Sequence, residues 1–312
     1  MSRHQTDCPV PEGVSFKSLG DVNRLGVGFC ADAYAPKNVA GIQSYRAFRM
    51  QCLATTLRIL DACRPPARSV ISVRLKRLDS IRRKITRPDA NFRLSTLDDV
   101  IGARVICQSV TAVVALSARI KLSPRVHRIK DYIEAPATTG YRGIHHIMRF
   151  DQPVSPDRSL TVRFEIQART YLQHRWAVWS ESHGEKAKLG KGDVARQQEL
   201  RSVAWELAQW EQDNPAREQA ELLPYSGVQT VAVCWRPPHG PATRLLFHDD
   251  VGGAVSWLNH LETAYSAQRE NALLLVGLAD HEEIERALRF THPLYIGARP
   301  VDPRLYAPFG SR

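Results

Sequence analysis

The sequence predicts a mixed α/β fold (α+β), a mixed β-sheet flanked by helices. Three observations carry this: apolar spacing that switches between helical and strand periods, short β-branched runs, and Gly or Pro punctuation between them. A chain of 312 residues has room for two hydrophobic cores. Three regions are expected: an irregular N-terminal arm over 1–41, a main domain over 42–222, and a second small α/β domain over 223–312.

The elements follow in order. Residues 1 to about 40 mix Gly, Pro and polar residues without a sustained period. From Ile42 to Cys63, apolar residues at Tyr45, Phe48, Leu53, Leu57 and Leu60 recur at helical spacing until Pro65-Pro66. Val73 to Thr86 carries Leu75, Leu78, Ile81 and Ile85 at three- and four-residue steps, so its arginines and lysines share the remaining faces of a basic helical element. Strands are predicted at Ala103–Cys107, Val126–Tyr132, Gly143–Phe150 and Leu160–Gln167, with helices at Val110–Ile120, Tyr171–Lys186 and Asp193–Asp213. Beyond Asn214-Pro215, strands are expected at Val228–Trp235, Arg244–Phe247, Ala272–Gly277 and Pro293–Ile296, with helices at Ala254–Ala267 and Glu282–Leu288.

Composition narrows the function. The formal charge of +11, from 43 Lys and Arg against 32 Asp and Glu, favours a polyanionic partner, which nucleotides and nucleic acids both satisfy. The six cysteines contain no C-x-x-C pair, so a zinc site and a disulfide framework are not expected. No apolar run approaches the roughly 18 to 20 residues of a membrane span, and no signal-peptide core is visible, so the expectation is a cytoplasmic protein without a membrane partner.

Four clusters carry chemistry. They are Arg74-Leu-Lys76 with Ser80 and Lys84, Asp99-Val-Ile-Gly102-Ala-Arg104, Gly140-Tyr141-Arg-Gly143-Ile-His145, and Glu165-Ile-Gln167-Ala-Arg169-Thr170. The first supplies cations suited to triphosphate oxygens, and Asp99 and Glu165 are carboxylates suited to a hard Mg²⁺ ion. Taken singly, each has a plain explanation: a solvated basic face, an Asp99 helix cap, a Glu165 surface ion pair, a turn aromatic at Tyr141. Their combination has the parts of phosphoryl-type transfer, which depends on positioning and charge neutralisation.

The order and wording of these clusters, over Val73 to Lys188, resemble the synthetase domain of RelA/SpoT homologues. The resemblance includes Asp131-Tyr-Ile-Glu-Ala-Pro136 ahead of Gly140-Tyr141, and the helix that carries Trp176-Ala177. It implies a nucleotidyltransferase-like synthetase domain with ATP and GTP or GDP as substrates. Arg74 and Arg104 are then expected to flank the adenine, while Lys76, Ser80, Lys84 and Arg87 hold the phosphates. Asp99 and Glu165 are expected to hold Mg²⁺, with Glu165 orienting or deprotonating the acceptor hydroxyl. Tyr141, His145, Gln167, Arg169 and His174 are the expected acceptor side.

The chain departs from the family wording at Ala137, Thr139 and Gly143, where the family has Lys, Asn and Ser, and at Ser180-Glu181-Ser182-His183, which replaces a contiguous Glu-His pair. All three single departures fall on the acceptor side. Two other readings therefore stand beside guanosine-nucleotide transfer: a toxic relative that modifies adenine nucleotides or tRNA, and an inactive nucleotide- or RNA-binding module. No His-Asp pair precedes Arg74, so a synthetase without its own hydrolase is expected. For the tail, homo-oligomer formation, ligand sensing and neutralisation in cis are open roles.

Overall fold

Strand-forming runs and amphipathic segments alternate along the chain. The helices are α1 (Leu19–Ala31), α2 (Pro36–Met50), α3 (Leu53–Ala62), α4 (Leu78–Ile85), α5 (Val110–Lys121), α6 (Tyr171–Ser182), α7 (Val194–Asp213) and α8 (Val251–Ala264). The strands are β1 (Ser69–Leu75), β2 (Ile101–Cys107), β3 (Val126–Asp131), β4 (Ile144–Ser155), β5 (Arg158–Thr170), β6 (Thr230–Trp235), β7 (Arg244–His248) and β8 (Ala272–Gly277). This computed structural model describes residues 16–88, 91–183, 192–219, 230–235, 244–248, 250–264, 272–277, 291, 300 and 302–305.

The strands form one mixed sheet in the order β3-β4-β5-β2-β1-β8-β6-β7. Among the described strands β2 and β5 pair in parallel and the other neighbours are antiparallel. α5 lies against β2, β4 and β5 and buries Val113, Leu116 and Ile120. The wholly buried residues Val105, Ile106, Phe164, Ile166 and Ala168 form the centre of the core. The expected mixed sheet with flanking helices is therefore the observed architecture.

Four expectations are corrected. Residues 19–31 are helical rather than part of an irregular arm. Ser18 caps α1 by accepting from the Asp21 amide at 3.2 Å, and Val22 and Phe29 are fully buried. The glycines that read as loop punctuation are points of close packing: a Cβ on Gly26 would lie 2.8 Å from Leu94 Cβ, and one on Gly41 2.5 Å from Leu25 Cδ1. The helix expected over 42–63 is two, α2 and α3, parted at residues 51 and 52. The basic helical element over 73–86 divides into the end of β1 and α4, because the β-branched run Ser69-Val-Ile-Ser-Val73 extends through Leu75.

The fourth concerns the tail. Its strands continue the same sheet instead of building one of their own, since β8 adds to the free edge of β1 through Val73 opposite Val276 and Arg74 opposite Leu275. The helix expected at 282–288, the strand expected at 293–296 and the boundary at 222 lie outside the described residues. Among the described residues Cys30, Cys52, Cys63 and Cys107 are free thiols. Among the described residues no helix is long and apolar enough to cross a membrane.

His146 on β4 is fully buried, with Nε2 2.9 Å from Ser117 Oγ on α5. Burial lowers its pKa from the usual 6.5 to about 4. The unfolded chain therefore takes up this proton first, and the contribution is full above pH 6.5 and declines as pH falls toward 4. The loss is roughly 3 kcal/mol across that window. Urea unfolding of His146→Leu should show a shallower loss of stability between these pH values than the parent; equal slopes would refute the assignment.

Candidate active site

The site follows from period two on the central strands. On β5, Glu165, Gln167 and Arg169 alternate with the buried Ile166 and Ala168. Parallel pairing sets Gly102 beside Glu165 and Arg104 beside Gln167, and antiparallel pairing sets Arg74 opposite Gly102 and Ser72 opposite Arg104. On the other side His145 of β4 faces Gln167. The functional side chains thus share the sheet face opposite α5, which is on the Ile166 side. Gly102 lets the strands close up: a Cβ there would sit 3.0 Å from the Glu165 carbonyl oxygen.

A small open cleft lies over this face, lined by Ser72, Arg74, Asp99, Gly102, Arg104 and Glu165 with Ala103 and Gln167. Asp99 occupies the turn before β2 and receives Lys76 Nζ and Lys84 Nζ, each at 2.8 Å, one on each carboxylate oxygen. Lys76 is fixed at the end of β1 by its amide, which donates to the Val100 carbonyl at 2.8 Å. Burial works to raise the pKa of Asp99, but the two ammonium groups outweigh it and hold the carboxyl well below its usual range. Burial also pulls Lys76 down to about 8 in spite of Asp99, with Arg74 and Lys84 adding to the effect.

Glu165 is the second carboxylate. Its Oε1 lies 3.0 Å from His145 Nδ1, and its Oε2 accepts from Gln167 Nε2 at 2.6 Å. Burial again acts upward and is outweighed, chiefly by His145, so Glu165 stays ionised. The chain of contacts continues: His145 Nε2 lies 2.6 Å from the Tyr141 hydroxyl, and Arg169 donates to Gln167 while its guanidinium sits 5.4 Å from the Tyr141 ring centre. Tyr132 meets Tyr141 and His145 edge-on at 5.5 and 5.3 Å. Burial lowers Arg104 to about 9, with Arg169 and Arg74 contributing, and its Nη1 donates to the Thr291 carbonyl at 3.2 Å. Three guanidiniums near two ionised carboxylates make a floor that attracts both phosphate oxygens and a cation.

Most of the sequence-predicted residues meet here. Arg74, Asp99, Arg104, Glu165 and Gln167 line the cleft; Lys76 and Lys84 join through Asp99; Tyr141, His145 and Arg169 join through Glu165 and Gln167. Ser80 and Arg87 are half-buried on and just after α4 and do not line the cleft. His174 is fully buried and does not line the cleft; it lies on α6, which is buried along most of its length, including its neighbours Leu172 and Gln173. Ser72 and Tyr132 were missed: Ser72 is two residues before Arg74 on a strand, and reading 69–75 as a strand would have found it.

Replacing Asp99 with Asn leaves two ammonium groups without their anion. The expected cost is about 2–3 kcal/mol, below that of a fully buried pair because the side chains keep some exposure. Urea unfolding of Asp99→Asn checks this, and adding Lys76→Met should recover part of the loss. No loss in the single variant would show that the lysines do not depend on Asp99.

Comparisons with known proteins give the following likenesses. GTP pyrophosphokinase YwaC of Bacillus subtilis (strain 168) is 32% identical over 111 residues, which is 33% of this chain and 52% of that protein. The match therefore spans about half of the relative's length. Among solved structures, small alarmone synthetase 1 of Bacillus subtilis bound to its product pppGpp matches at 20% identity and a TM-score of 0.47, covering 55% of this chain and 92% of that one. Small alarmone synthetase 2 of Bacillus subtilis matches at 24% identity and a TM-score of 0.44, covering 55% and 93%. The family model described as "Region found in RelA / SpoT proteins" matches residues 73–188, the stretch that runs from β1 to just past α6 and contains every residue lining the cleft but Ser72. Residues 73–188 of this chain are thus similar to the region found in RelA / SpoT proteins.

Proposed function

We propose that the chain is a cytoplasmic pyrophosphokinase that transfers the β,γ-pyrophosphate of ATP to the 3′-hydroxyl of GDP or GTP, releasing AMP and forming (p)ppGpp. The observation that carries this reading is the cleft in which two ionised carboxylates, Asp99 and Glu165, face the cations Arg74, Lys76, Lys84 and Arg104. The RelA/SpoT region and the likeness to a GTP pyrophosphokinase support it.

The carboxylates suit a divalent ion such as Mg²⁺. They share one cleft, each is held ionised, and the charge of Asp99 is felt at Glu165. Asp99 and Glu165 would offer an ion two oxygen ligands and the nucleotide phosphates others, a pattern Mg²⁺ accepts. Such an ion would supply neutralisation of phosphate charge.

The remaining work belongs to the side chains. Arg74 and Arg104 are assigned to the donor nucleotide, with Lys76 and Lys84 exchanging part of their bond to Asp99 for phosphate oxygens. Ser80 on α4 and Arg87 just after it stay in the proposal as outer phosphate contacts. Tyr141, with Arg169 over its ring, is the assigned platform for the acceptor base. Glu165 takes the proton of the 3′-hydroxyl, and His145 and Gln167 hold its carboxylate in place while it does so.

The test is transfer of label from ATP labelled at the β-phosphate, with Mg²⁺ and with GDP, GTP, ATP or deacylated tRNA offered separately. Label on GDP or GTP is the expected result. Label on tRNA or ATP alone would replace the acceptor assignment, and no transfer to any of them would overturn the reading. Glu165→Gln should lower the rate by roughly a thousandfold at unchanged ATP binding, as loss of a positioned base requires; a variant that keeps a tenth of the rate or more would remove Glu165 from that role.

A further inference from the structure

Glu211, on the last turn of α7, is 1% exposed and lies behind the acceptor side of the cleft. Its two carboxylate oxygens take four donors. Arg142 Nη1 and Gln173 Nε2, the latter at 2.9 Å, bond to Oε2; Thr170 Oγ1 and Gln219 Nε2, the latter at 2.8 Å, bond to Oε1. All its acceptor capacity is therefore used inside the protein. Two of the donors adjoin acceptor-side residues: Arg142 follows Tyr141, and Thr170 follows Arg169, whose guanidinium covers the Tyr141 ring.

We propose that Glu211 is the positioning residue of the acceptor pocket, setting the separation of Tyr141 and Arg169 by holding the next residue of each segment on one carboxylate. Thr170 is held firmly enough to serve because it also caps α6, its hydroxyl accepting from the Gln173 amide and its amide donating to Gln173 Oε1, both at 3.1 Å. The Arg142 side chain is only 11% exposed, so its link to Glu211 is shielded from water and charge-assisted. This inference rests on the proposed transfer to a nucleotide acceptor. It assigns to α7, which lies outside the RelA/SpoT match, a share in how that acceptor is held.

A purely structural role would lower stability and move all substrates together. A positioning role separates them. In Glu211→Gln one oxygen becomes an amide nitrogen that cannot accept, and we expect the KM for GDP to rise roughly tenfold, the order expected when a supporting contact of a bound group is lost, while the Kd of a non-hydrolysable ATP analogue is unchanged. A parallel rise in both, or no change in a folded variant, overturns the proposal. Should Glu211→Gln fail to fold, Arg142→Gln, which removes one donor only, is expected to raise the same KM and leave the ATP-analogue Kd alone. If the parent protein transfers pyrophosphate to no nucleotide, the functional reading fails by itself. Hydrogen exchange then tests the positioning: faster exchange over residues 139–143 in Arg142→Gln, with residues 101–106 unaffected, sustains it, and equal protection at 139–143 refutes it.

Discussion

The parallel register between β2 and β5 is the constraint on which the polar face of the molecule depends. It sets Gly102 against Glu165 and Arg104 against Gln167, and the approach is close enough that a Cβ at position 102 would press on the Glu165 backbone. A slip of one residue would turn Glu165, Gln167 and Arg169 toward α5 and bring Ile166 and Ala168 into the cleft. The buried apolar partners of those residues hold the register, so core packing and site geometry are two faces of one pairing.

Charge is handled in pairs around this frame. Asp99 is balanced by Lys76 and Lys84, and Glu165 by His145 and Gln167, so each carboxylate is kept ionised in a partly buried place at the cost of being already engaged. In the proposed transfer, a nucleotide would exchange partners with groups that are in position rather than order them afresh, which lowers the reorganisation needed. A second, fully buried pair joins the tail to this centre: Arg46 on α2 bonds to Glu262 on α8 and also donates to the Lys76 carbonyl at 3.3 Å. Together with β8 on the edge of β1 and the Thr291 carbonyl on Arg104, it sets the C-terminal part of the chain against the Arg74 and Arg104 side of the cleft.

Much of the site was legible in advance because its chemistry demands particular residue types at short spacings. Arg74, Asp99, Arg104, Glu165 and Gln167 converge as the clusters suggested, and Tyr141, His145 and Arg169 follow through a run of contacts. His174 does not join this run: it lies on α6, which is buried along most of its length. Arg74 was given a helical setting because Leu75, Leu78 and Ile81 fit a helical period. That period is satisfied from Leu78 onward, and β-branched residues take the segment before it into a strand.

The amino-acid order alone established the mixed α/β character, the identity of the charged and aromatic groups, and most element positions, since alternation, β-branching and caps act over a few neighbours. Glu211 and Glu262 were invisible at that level: they read as ordinary polar residues on helices α7 and α8, and their partners lie up to 69 and 219 residues away respectively. The same holds for the union of the tail strands with β1, which depends on a free strand edge that exists once β1 and β2 have paired. Local periodicity records which face of an element is apolar; which distant donor satisfies a buried carboxylate, or which strand closes an edge, is settled by chain folding in three dimensions.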